Sequence, residues 1–600
     1  MKVGEVLSFY TLRKNNFLQD LQRKKKQLAW FSFLRVTYFL FLIAVSWYLV
    51  SLNVLLGILV ILVLLVVFGA MISIFQKLSR EKEKVGFLVK INEQEERAVQ
   101  YDYSFSNGGD KYISIQHPFT YDLDVFGEGS VFQVINRTVT LKGEKLLAHI
   151  LQEPRYHIQE ILKSSEAIKE LSNEIDFLQD FLAEGMFFSE IDHQEKEIKM
   201  WLDEKDWLLN KWYTNLLVWI MPSFTVLTLI LAIFEILPYI LFFTMGILQL
   251  TISGLNIKKV NQVHEKLDKK YALIIKHSRL IGLIQNKNFN SELLQDAKNS
   301  FLTGKKDASS VLKTFSKILN MFDSRMNLFV AIVFNGLFLW DLRIVLQLEK
   351  WKKEYGEKVL TWLEGTGKFD AYISLSIFAH NHPQYSYPIL KEENHFIFNA
   401  MQLGHPLIPS EKRVDNDLSM EKWGSFVVIT GANMSGKSTF LRAVGLNSIL
   451  AMAGLPVCAL KFEFSPVPVF TSMRTNDSLQ KNESYFYTEL KRIKAMLDQI
   501  EKDHKVFILL DEILKGTNSI DKQKGSKAIL EKLIRSKSSG IIATHDLSLG
   551  ELEKNYPNEL SNKCFEIDIN DSNMKFDFKL REGITRHMNA ILLMKKMGIL

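Results

Sequence analysis

The 600-residue sequence has few cysteines, no internal repeat and no low-complexity tract. Its two cysteines, Cys458 and Cys564, show no metal-binding spacing, and so small a number fits a reducing cytosol. The absence of repeats excludes a solenoid architecture. The formal net charge of +7 is small for this length, and much of it lies beside apolar segments. The charge therefore does not indicate a nucleic-acid partner.

Charged residues are nearly absent from two long apolar blocks, residues 30–75 and 212–255. Each block is long enough for two membrane-spanning helices of about 20 residues. Residues 51–53 interrupt the first block, and residues 235–238 interrupt the second. The predicted spans are 31–50, 54–75, 213–233 and 237–255. The alternative, a set of buried helices in a water-soluble protein, is disfavoured because stretches this long carry almost no charge.

The positions of lysine and arginine predict how these spans are oriented. Basic residues precede the first span and follow the second and fourth spans, whereas both hairpin tips lack them. Because basic loops stay in the cytoplasm, both hairpins are predicted to enter from that side. We expect a multi-pass protein of the cytoplasmic membrane with both termini inside and Glu235 at a hairpin tip. A cleavable signal peptide is not expected, because a second span follows the first at once.

The rest of the sequence predicts helices first and an α/β domain later. Apolar residues recur at helical spacing in 260–284 and 308–319. Residues 326–340 are apolar but contain Asn327 and Asn335, so we interpret them as a core helix, with membrane contact as the alternative. The predicted segments are a basic lead-in (1–28), a first membrane hairpin (29–76), a first helical core part (77–211), a second membrane hairpin (212–255), a helical lever (256–394) and a nucleotide-binding domain (395–600).

The most informative motif is a Gly-rich turn after the apolar run 426–430, with Gly431, Gly436, Lys437 and Ser438 at P-loop spacing. Backbone N–H groups in such a turn, together with the positive end of the next helix, bind phosphates. Lys437 is predicted to reach the β- and γ-phosphates of ATP, and Ser438 to ligate Mg²⁺. The predicted nucleotide-binding residues are Gly431, Asn433, Met434, Ser435, Gly436, Lys437, Ser438 and Thr439.

Two further apolar strands end in candidate catalytic residues. Residues 506–510 run into Asp511 and Glu512, and residues 540–544 run into His545. Because parallel strands present their carboxyl ends to one crevice, these side chains are predicted to converge on the phosphates. Asp511 is predicted to hold Mg²⁺, Glu512 to activate the attacking water, and His545 to sense the γ-phosphate. The alternative is a solvated strand end and an ordinary turn histidine.

The P-loop interior resembles the signature of the MutS mismatch-repair ATPases, in which Asn-Met precedes the second glycine. The segments around His405-Pro406 and Asp511-Glu512-Ile513 are similar to other elements of that family, and residues 129–154 resemble the start of its core domain. The resemblance covers about 120–182 and 355–600. It implies an ABC-type α/β P-loop ATPase joined to a mainly α-helical core and lever, using ATP and Mg²⁺.

The resemblance also implies a homodimer. MutS proteins complete each nucleotide site with a serine from the partner subunit, and Ser484 and Glu489 match that segment, while Asn482 and Tyr485 depart from it. Ser484 is therefore expected to contact the γ-phosphate across the dimer. The acidic Glu483 beside that phosphate is expected to weaken the contact and slow hydrolysis.

Several parts depart from the family pattern. The lead-in and first hairpin stand where mismatch-binding members have a reading domain with a Phe-x-Glu wedge, and the second hairpin stands near the place of the DNA clamp. Phe188-Ser189-Glu190 matches the wedge by letters only. Arg413 stands near the family's adenine-stacking aromatic, and either stacks there or is a surface arginine.

Three functional hypotheses follow from the sequence. The first is a membrane-anchored ATPase in which ATP switches a dimer and the switch is coupled to mismatched or otherwise distorted DNA. The second is an ABC-type ATPase that acts on an unidentified membrane protein and has no nucleic-acid role. The third is an ATP-gated dimerisation module at the membrane.

Overall fold

The computed structural model describes residues 3–52, 54–191, 194–209, 211–303, 306–392, 396–474, 485–503, 505–536, 538–570 and 573–585. Two compact units are present. The first comprises Met1–Arg137, Leu146–Ile175 and Tyr372–Leu600, and the second comprises Thr138–Lys145 and Asp176–Ala371. The described residues are mainly helical, with two mixed sheets in the first unit and a short two-stranded sheet in the second.

The α-helices are α1 (Val3–Leu52), α2 (Val54–Val99), α3 (Val131–Ile135), α4 (Leu141–Gln152), α5 (Ile158–Ser172), α6 (Ile175–Gly185), α7 (Gln194–Asp203), α8 (Trp212–Ile233), α9 (Tyr239–Gln285), α10 (Glu292–Asn299), α11 (Ala308–Asp323), α12 (Leu328–Phe338), α13 (Trp340–Asn381), α14 (Lys437–Met452), α15 (Tyr485–Asp503), α16 (Ser519–Arg535) and α17 (Leu547–Gly550). The strands are β1 (Leu302–Thr303), β2 (Lys306–Asp307), β3 (Ile389–Leu390), β4 (Phe398–Leu403), β5 (Asn416–Met420), β6 (Phe426–Gly431), β7 (Lys461–Phe464), β8 (Val469–Ser472), β9 (Phe507–Asp511), β10 (Ser539–Thr544), β11 (Leu560–Asn570) and β12 (Asn573–Glu582).

Helices α1 and α2 form an antiparallel hairpin that is much longer than its apolar part. Lys24 Nζ lies 2.6 Å from Glu81 Oε2, and the Tyr38 hydroxyl donates to the Leu64 carbonyl at 3.0 Å. The predicted lead-in 1–28 is not a separate element, because α1 continues without a break from its basic half into its apolar half.

The end of this hairpin that contains the start of α1 and the end of α2 is fixed by buried polar contacts within the first unit. The Tyr10 hydroxyl donates to Asn381 Oδ1 at 2.7 Å, and Asn381 Nδ2 donates to Glu95 Oε2 at 2.7 Å. Glu95 also pairs with Arg137, whose Nε lies 2.5 Å from Glu95 Oε1. These groups are almost wholly shielded from water, so each charge depends on its partner. The network holds α1 and α2 to the last turn of α13.

Among the described residues, four helices are long and apolar enough to cross a membrane by length and composition, or five if the bent pair α12 and α13 is one span. They are Gly4–Leu49, Val63–Val99, Trp212–Ile233 and Tyr239–Leu267. In the second hairpin the turn between α8 and α9 places Glu235 at its tip with φ 59°. Helix α1 ends at Leu52 and α2 begins at Val54, whereas α8 ends at Ile233 and α9 begins at Tyr239, close to the interruptions predicted at 51–53 and 235–238. Asn53 itself lies outside the described residues.

The second unit contains α9, which continues from its apolar part to Gln285, with α11 packed along it. The helices predicted at 260–284 and 308–319 are confirmed. The core helix predicted at 326–340 is wrong. Its helical part is α12, where Leu328 and Phe329 are about three-quarters exposed and only Asn335 and Gly336 are buried.

Glu190 belongs to a buried charged cluster in the second unit. One carboxylate oxygen lies 3.1 Å from Lys276 Nζ and 3.3 Å from His277 Nε2, and the other accepts from the Leu141 N–H at 2.8 Å. Burial raises the pKa of this carboxyl, but the hydrogen bond and charge of His277 and the charge of Lys276 outweigh it and hold the pKa at about 2. Glu190 therefore acts as an internal ion-pair partner.

The main sheet of the first unit has the strand order β12-β11-β6-β10-β9-β8. Strands β11, β6, β10, β9 and β8 are parallel to their neighbours, and β12 pairs antiparallel with β11 at the edge. All residues of β6 and β10 are buried, as expected for strands covered on both faces. Thr544 pairs with Thr430, and Ala543 pairs with Asp511. The carboxyl ends of β6, β9 and β10 therefore meet at one edge.

Gly454 ends α14 with φ 85°, and a Cβ there would lie 2.9 Å from Ser164 Cβ and from the Ser165 nitrogen. We expect Gly454→Ala to destabilise the protein strongly, because it adds a clash to a backbone cost of about 1 kcal/mol. Gly583→Ala is the matched control, since Gly583 has φ 96° but nothing within 4 Å. Thermal melting of the purified variants should show a larger fall in Tm for Gly454→Ala. Equal falls would contradict the packing argument.

Candidate nucleotide-binding site

The Gly-rich turn lies between β6 and α14, as the sequence predicts. Gly436 is the N-cap of α14 and has φ 103°, a left-handed conformation that favours glycine. A Cβ at this position would also lie 3.1 Å from Cδ1 of Phe578. Met434 has φ 66°, and its side chain is mostly exposed. The turn thus places the N-terminus of a long, buried helix at the carboxyl edge of the sheet, where it can bind an anion.

A cavity of about 570 Å³ opens at this edge. It brings together nearly all of the residues predicted to bind nucleotide or metal or to act in catalysis. They are Asn433, Met434, Ser435, Gly436, Lys437, Ser438, Thr439, Asp511, Glu512 and His545. Gly431 borders the cavity through its carbonyl, which contacts Lys437. Ser484 lies outside the described residues, so its role remains a prediction.

The ammonium group of Lys437 is held by its own loop. Nζ donates to the carbonyls of Gly431 and Ala432, both at 2.8 Å, and lies 3.3 Å from His545 Nε2. Burial lowers the pKa of Lys437 to about 8, although Asp511 and Glu512 act in the opposite direction. A phosphate group in the cavity can replace these neutral acceptors with a charged one.

Ser438 and Asp511 provide oxygen ligands suited to Mg²⁺. The Ser438 hydroxyl donates to Asp511 Oδ2 at 2.5 Å, across the gap between the start of α14 and the end of β9. A hydroxyl and a carboxylate are ligand types that Mg²⁺ uses together with substrate phosphates. The residues present therefore fit the predicted metal.

Glu512 sits between two basic side chains. Its Oε2 lies 3.4 Å from Lys522 Nζ, and its Oε1 lies 3.2 Å from His545 Nε2. Burial and the charge of Lys437 lower the pKa of His545, so its ring is uncharged at neutral pH. Lys522 was missed by the sequence analysis. Asn518 accepts from the Asp521 N–H and starts α16, which puts Lys522 on the first turn facing Glu512.

The loop after β9 is strained and braced. Glu512 and Leu514 both have φ 58°, although neither is glycine. Strain of this kind costs about 1–3 kcal/mol per residue and concentrates at functional sites. The buried carboxylate of Glu489 on α15 accepts from the Lys515 and Gly516 N–H groups at 3.1 and 3.4 Å. This brace holds the position of Glu512.

Arg413 is not a surface arginine, so that interpretation is wrong. Its side chain is 10% exposed, and its Nε lies 2.6 Å from Asp415 Oδ1. It lines the same cavity as Ile408 and Phe578. The guanidinium group thus belongs to the wall of the cavity that Asp511 and Glu512 also line.

Two aspartates that the sequence analysis missed connect the segment before α3 to the nucleotide-binding domain. Asp124 forms a bidentate pair with Arg474, at 2.6 and 2.8 Å, and lies 3.2 Å from Arg442 on α14. The buried Asp122 accepts from the Thr471 hydroxyl at 2.7 Å and from the Arg474 N–H at 2.9 Å. These contacts fix the chain at the start of residues 475–484, the segment that carries Ser484.

Comparison with known proteins supports a relationship to the MutS family. Residues 427–599 match the family model described as MutS domain V. The DNA mismatch repair protein MutS of Thermotoga maritima is 35% identical over 253 residues, which are 41% of this chain and 31% of that protein. MutS protein homolog 4 of Homo sapiens is 33% identical over 195 residues, 31% of this chain and 20% of that protein.

Endonuclease MutS2 of Clostridium novyi is also similar, with 29% identity over 214 residues, 35% of this chain and 26% of that protein. The chain spans less than a third of the length of each of these relatives. The matched family region contains the cavity residues from Asn433 to His545. The C-terminal part of this chain is therefore similar to the MutS domain V region of MutS, MutS homolog 4 and MutS2 proteins.

Proposed function

We propose that this protein is a membrane-anchored ATPase of the MutS type, in which ATP binding and hydrolysis switch a dimer that binds mismatched or distorted DNA. The observation that carries the ATPase proposal is the convergence of Lys437, Ser438, Asp511, Glu512 and His545 on one cavity inside the region that matches MutS domain V. Membrane anchoring is proposed from the four apolar helices. From the distribution of lysine and arginine around these helices, we expect the nucleotide site and both termini to be cytoplasmic.

Each side chain has a defined task in hydrolysis. A water oxygen attacks the γ-phosphorus of ATP while the bond to the bridging β-phosphate oxygen breaks, and Glu512 accepts the proton of the water. Lys437 stabilises the charge on the phosphates. Ser438 and Asp511 would hold Mg²⁺, which would supply further charge neutralisation when bound. His545, uncharged and within 3.2 Å of Glu512, keeps the carboxylate oriented.

The DNA-binding part of the proposal rests on the relatives. Two of the three named above have DNA mismatch repair or endonuclease in their names. The second hypothesis, an ATPase that acts on a membrane protein without nucleic acid, is favoured by the large exposed apolar surface of α8 and α9. The two functions differ in whether DNA changes the activity of the nucleotide site.

The deciding experiment is the ATPase rate of the full chain in detergent, with homoduplex, mismatched or branched DNA. We expect one distorted form to change the rate more than homoduplex does, and Lys437→Ala to abolish both basal and DNA-dependent hydrolysis. Binding of that DNA should weaken as salt rises, because phosphate contacts release counterions. A rate indifferent to every DNA would remove nucleic acid from the proposal and favour the membrane-protein alternative.

Glu512→Gln should retain ATP binding but lose hydrolysis, because an amide cannot accept the proton of the water. We expect a reduction in kcat of about 100-fold or more, the size of a general-base contribution. Equilibrium binding of a fluorescent ATP analogue and single-turnover hydrolysis measure the two effects separately. Glu551→Gln, an exposed change away from the cavity, is the control. Wild-type turnover by Glu512→Gln would show that another group is the base.

ATP binding should take up a proton above pH 8. The nucleotide-free ammonium of Lys437 has a pKa of about 8, whereas bound phosphates favour its charged form. Affinity should therefore be constant below this pH and fall by up to about tenfold per pH unit above it. Calorimetry near pH 9 in buffers of different ionisation enthalpy measures the proton directly. Lys437→Arg stays charged and should show no uptake. Identical heats in all buffers would contradict the buried-lysine argument.

A further inference from the structure

Helix α12 lies beside the second hairpin and contacts both of its helices. A Cβ on Gly336 would lie 3.6 Å from Leu250 Cγ, and one on Gly246 would lie 3.7 Å from the Gly336 carbonyl oxygen. Small residues at a crossing allow two helix backbones to approach, which is a common way for helices to pack in lipid. Gly246 and Leu250 are both inside Tyr239–Leu267, one of the four candidate spans. The contact therefore occurs in the apolar part of the hairpin.

Two asparagines, Asn327 and Asn335, form hydrogen bonds with other groups of the protein at α12. Asn327 accepts from the Phe329 and Val330 N–H groups and so caps the first turn. Asn335 Oδ1 accepts from the Ser253 hydroxyl at 3.1 Å and from the Asp341 N–H at 3.0 Å. The two asparagines therefore do not exclude a membrane segment, because their hydrogen bonds lie within the protein. Such bonds are needed in lipid, where unpaired polar groups are costly.

The helix ends in a sharp bend that is also internally stabilised. Leu339 is left-handed, with φ 49°, and α12 meets α13 at 78°. At the bend Arg325 Nη2 lies 3.0 Å from Asp341 Oδ2, with both side chains less than a tenth exposed, and Arg325 Nη1 donates to Asn261 on α9 at 2.8 Å. The charged groups of Arg325 and Asp341 therefore pair with each other and are not exposed at the surface.

The N-terminal turns of α12 are apolar and uncovered. Leu328 and Phe329 are 74% and 76% exposed, and Ile332 is 49% exposed. Eleven residues make a helix of about 16 Å, roughly half the thickness of the hydrocarbon core. The exposed face continues the apolar surface of α8 and α9, which is uncovered in the same way.

We propose that α12 is a membrane-embedded half-span, with Leu328, Phe329 and Ile332 in contact with lipid acyl chains. This inference rests on the proposed membrane anchoring of the second hairpin. It makes the connection between α11 and α13 a third apolar element of that hairpin rather than part of a water-soluble core. Both helices would then meet within the bilayer, where the Arg325–Asp341 pair and the Asn335 hydrogen bonds fix the bend.

Single cysteines test this proposal in the full chain. Phe329→Cys is the test position and Phe243→Cys, on α9 and 59% exposed, reports on the hairpin itself. Leu460→Cys, 61% exposed in the first unit, is the aqueous control. The native Cys458 and Cys564 are buried, so the unsubstituted protein measures background labelling. Each variant carries a polarity-sensitive fluorophore and is reconstituted into vesicles with or without acyl-brominated phosphatidylcholine.

We expect bromine to quench the label at Phe329→Cys about as strongly as at Phe243→Cys, and to leave Leu460→Cys unchanged. Quenching at Phe243→Cys but not at Phe329→Cys would overturn the half-span while leaving the anchored hairpin intact. A blue-shifted, unquenched label at Phe329→Cys, together with disulfide cross-linking of two chains when the unlabelled variant is treated with an added oxidant, would assign the face to a second copy and also overturn the proposal. Absence of quenching at both positions would overturn membrane anchoring itself.

Discussion

The parallel pairing of β6, β10 and β9 is the constraint on which the nucleotide site depends. Their register places Thr430 beside Thr544 and Asp511 beside Ala543, so three loops leave the sheet at the same height. The strands are buried on both faces, so the packing of their apolar side chains against the covering elements holds them in place. The distances among Lys437, Asp511 and His545 therefore follow from hydrophobic burial rather than from attraction between these charged groups.

The sequence predicts the parts of the molecule that have a local signature. Glycine at Gly436 and continuous apolar strands identify the phosphate loop, and long uncharged runs identify both hairpins. The burial and direction of a single polar side chain leave no such signature, which explains why Lys522 was missed and why Arg413 was open to two interpretations. For residues 326–340 the composition favoured a core helix, which is wrong. The hydrogen-bond partners of Asn335 are Ser253 and Asp341, and Ser253 is far away in sequence.

The charged groups around the nucleotide site stabilise its loops, in addition to the catalytic roles proposed for some of them. Glu489 holds the strained loop after β9, and Asp124 joins Arg442 on the helix of the phosphate loop to Arg474 beyond β8. In a partly buried ion pair, removal of one partner leaves a charge without compensation. A shift of the phosphate loop is therefore resisted at Asp124, which joins Arg442 to Arg474.

The unbroken course of α1 has a mechanical consequence. Fifty helical residues form a rod of about 75 Å, well over twice the thickness of the hydrocarbon core. In a rod of this length, a tilt of a few degrees about one end moves the other end by several ångströms. Near the N-terminal end of α1, the Tyr10 hydroxyl donates a hydrogen bond to Asn381. Under the proposed membrane anchoring, a change in bilayer thickness that tilts α1 would therefore act on the final turn of α13 through this hydrogen bond, with no intervening loop.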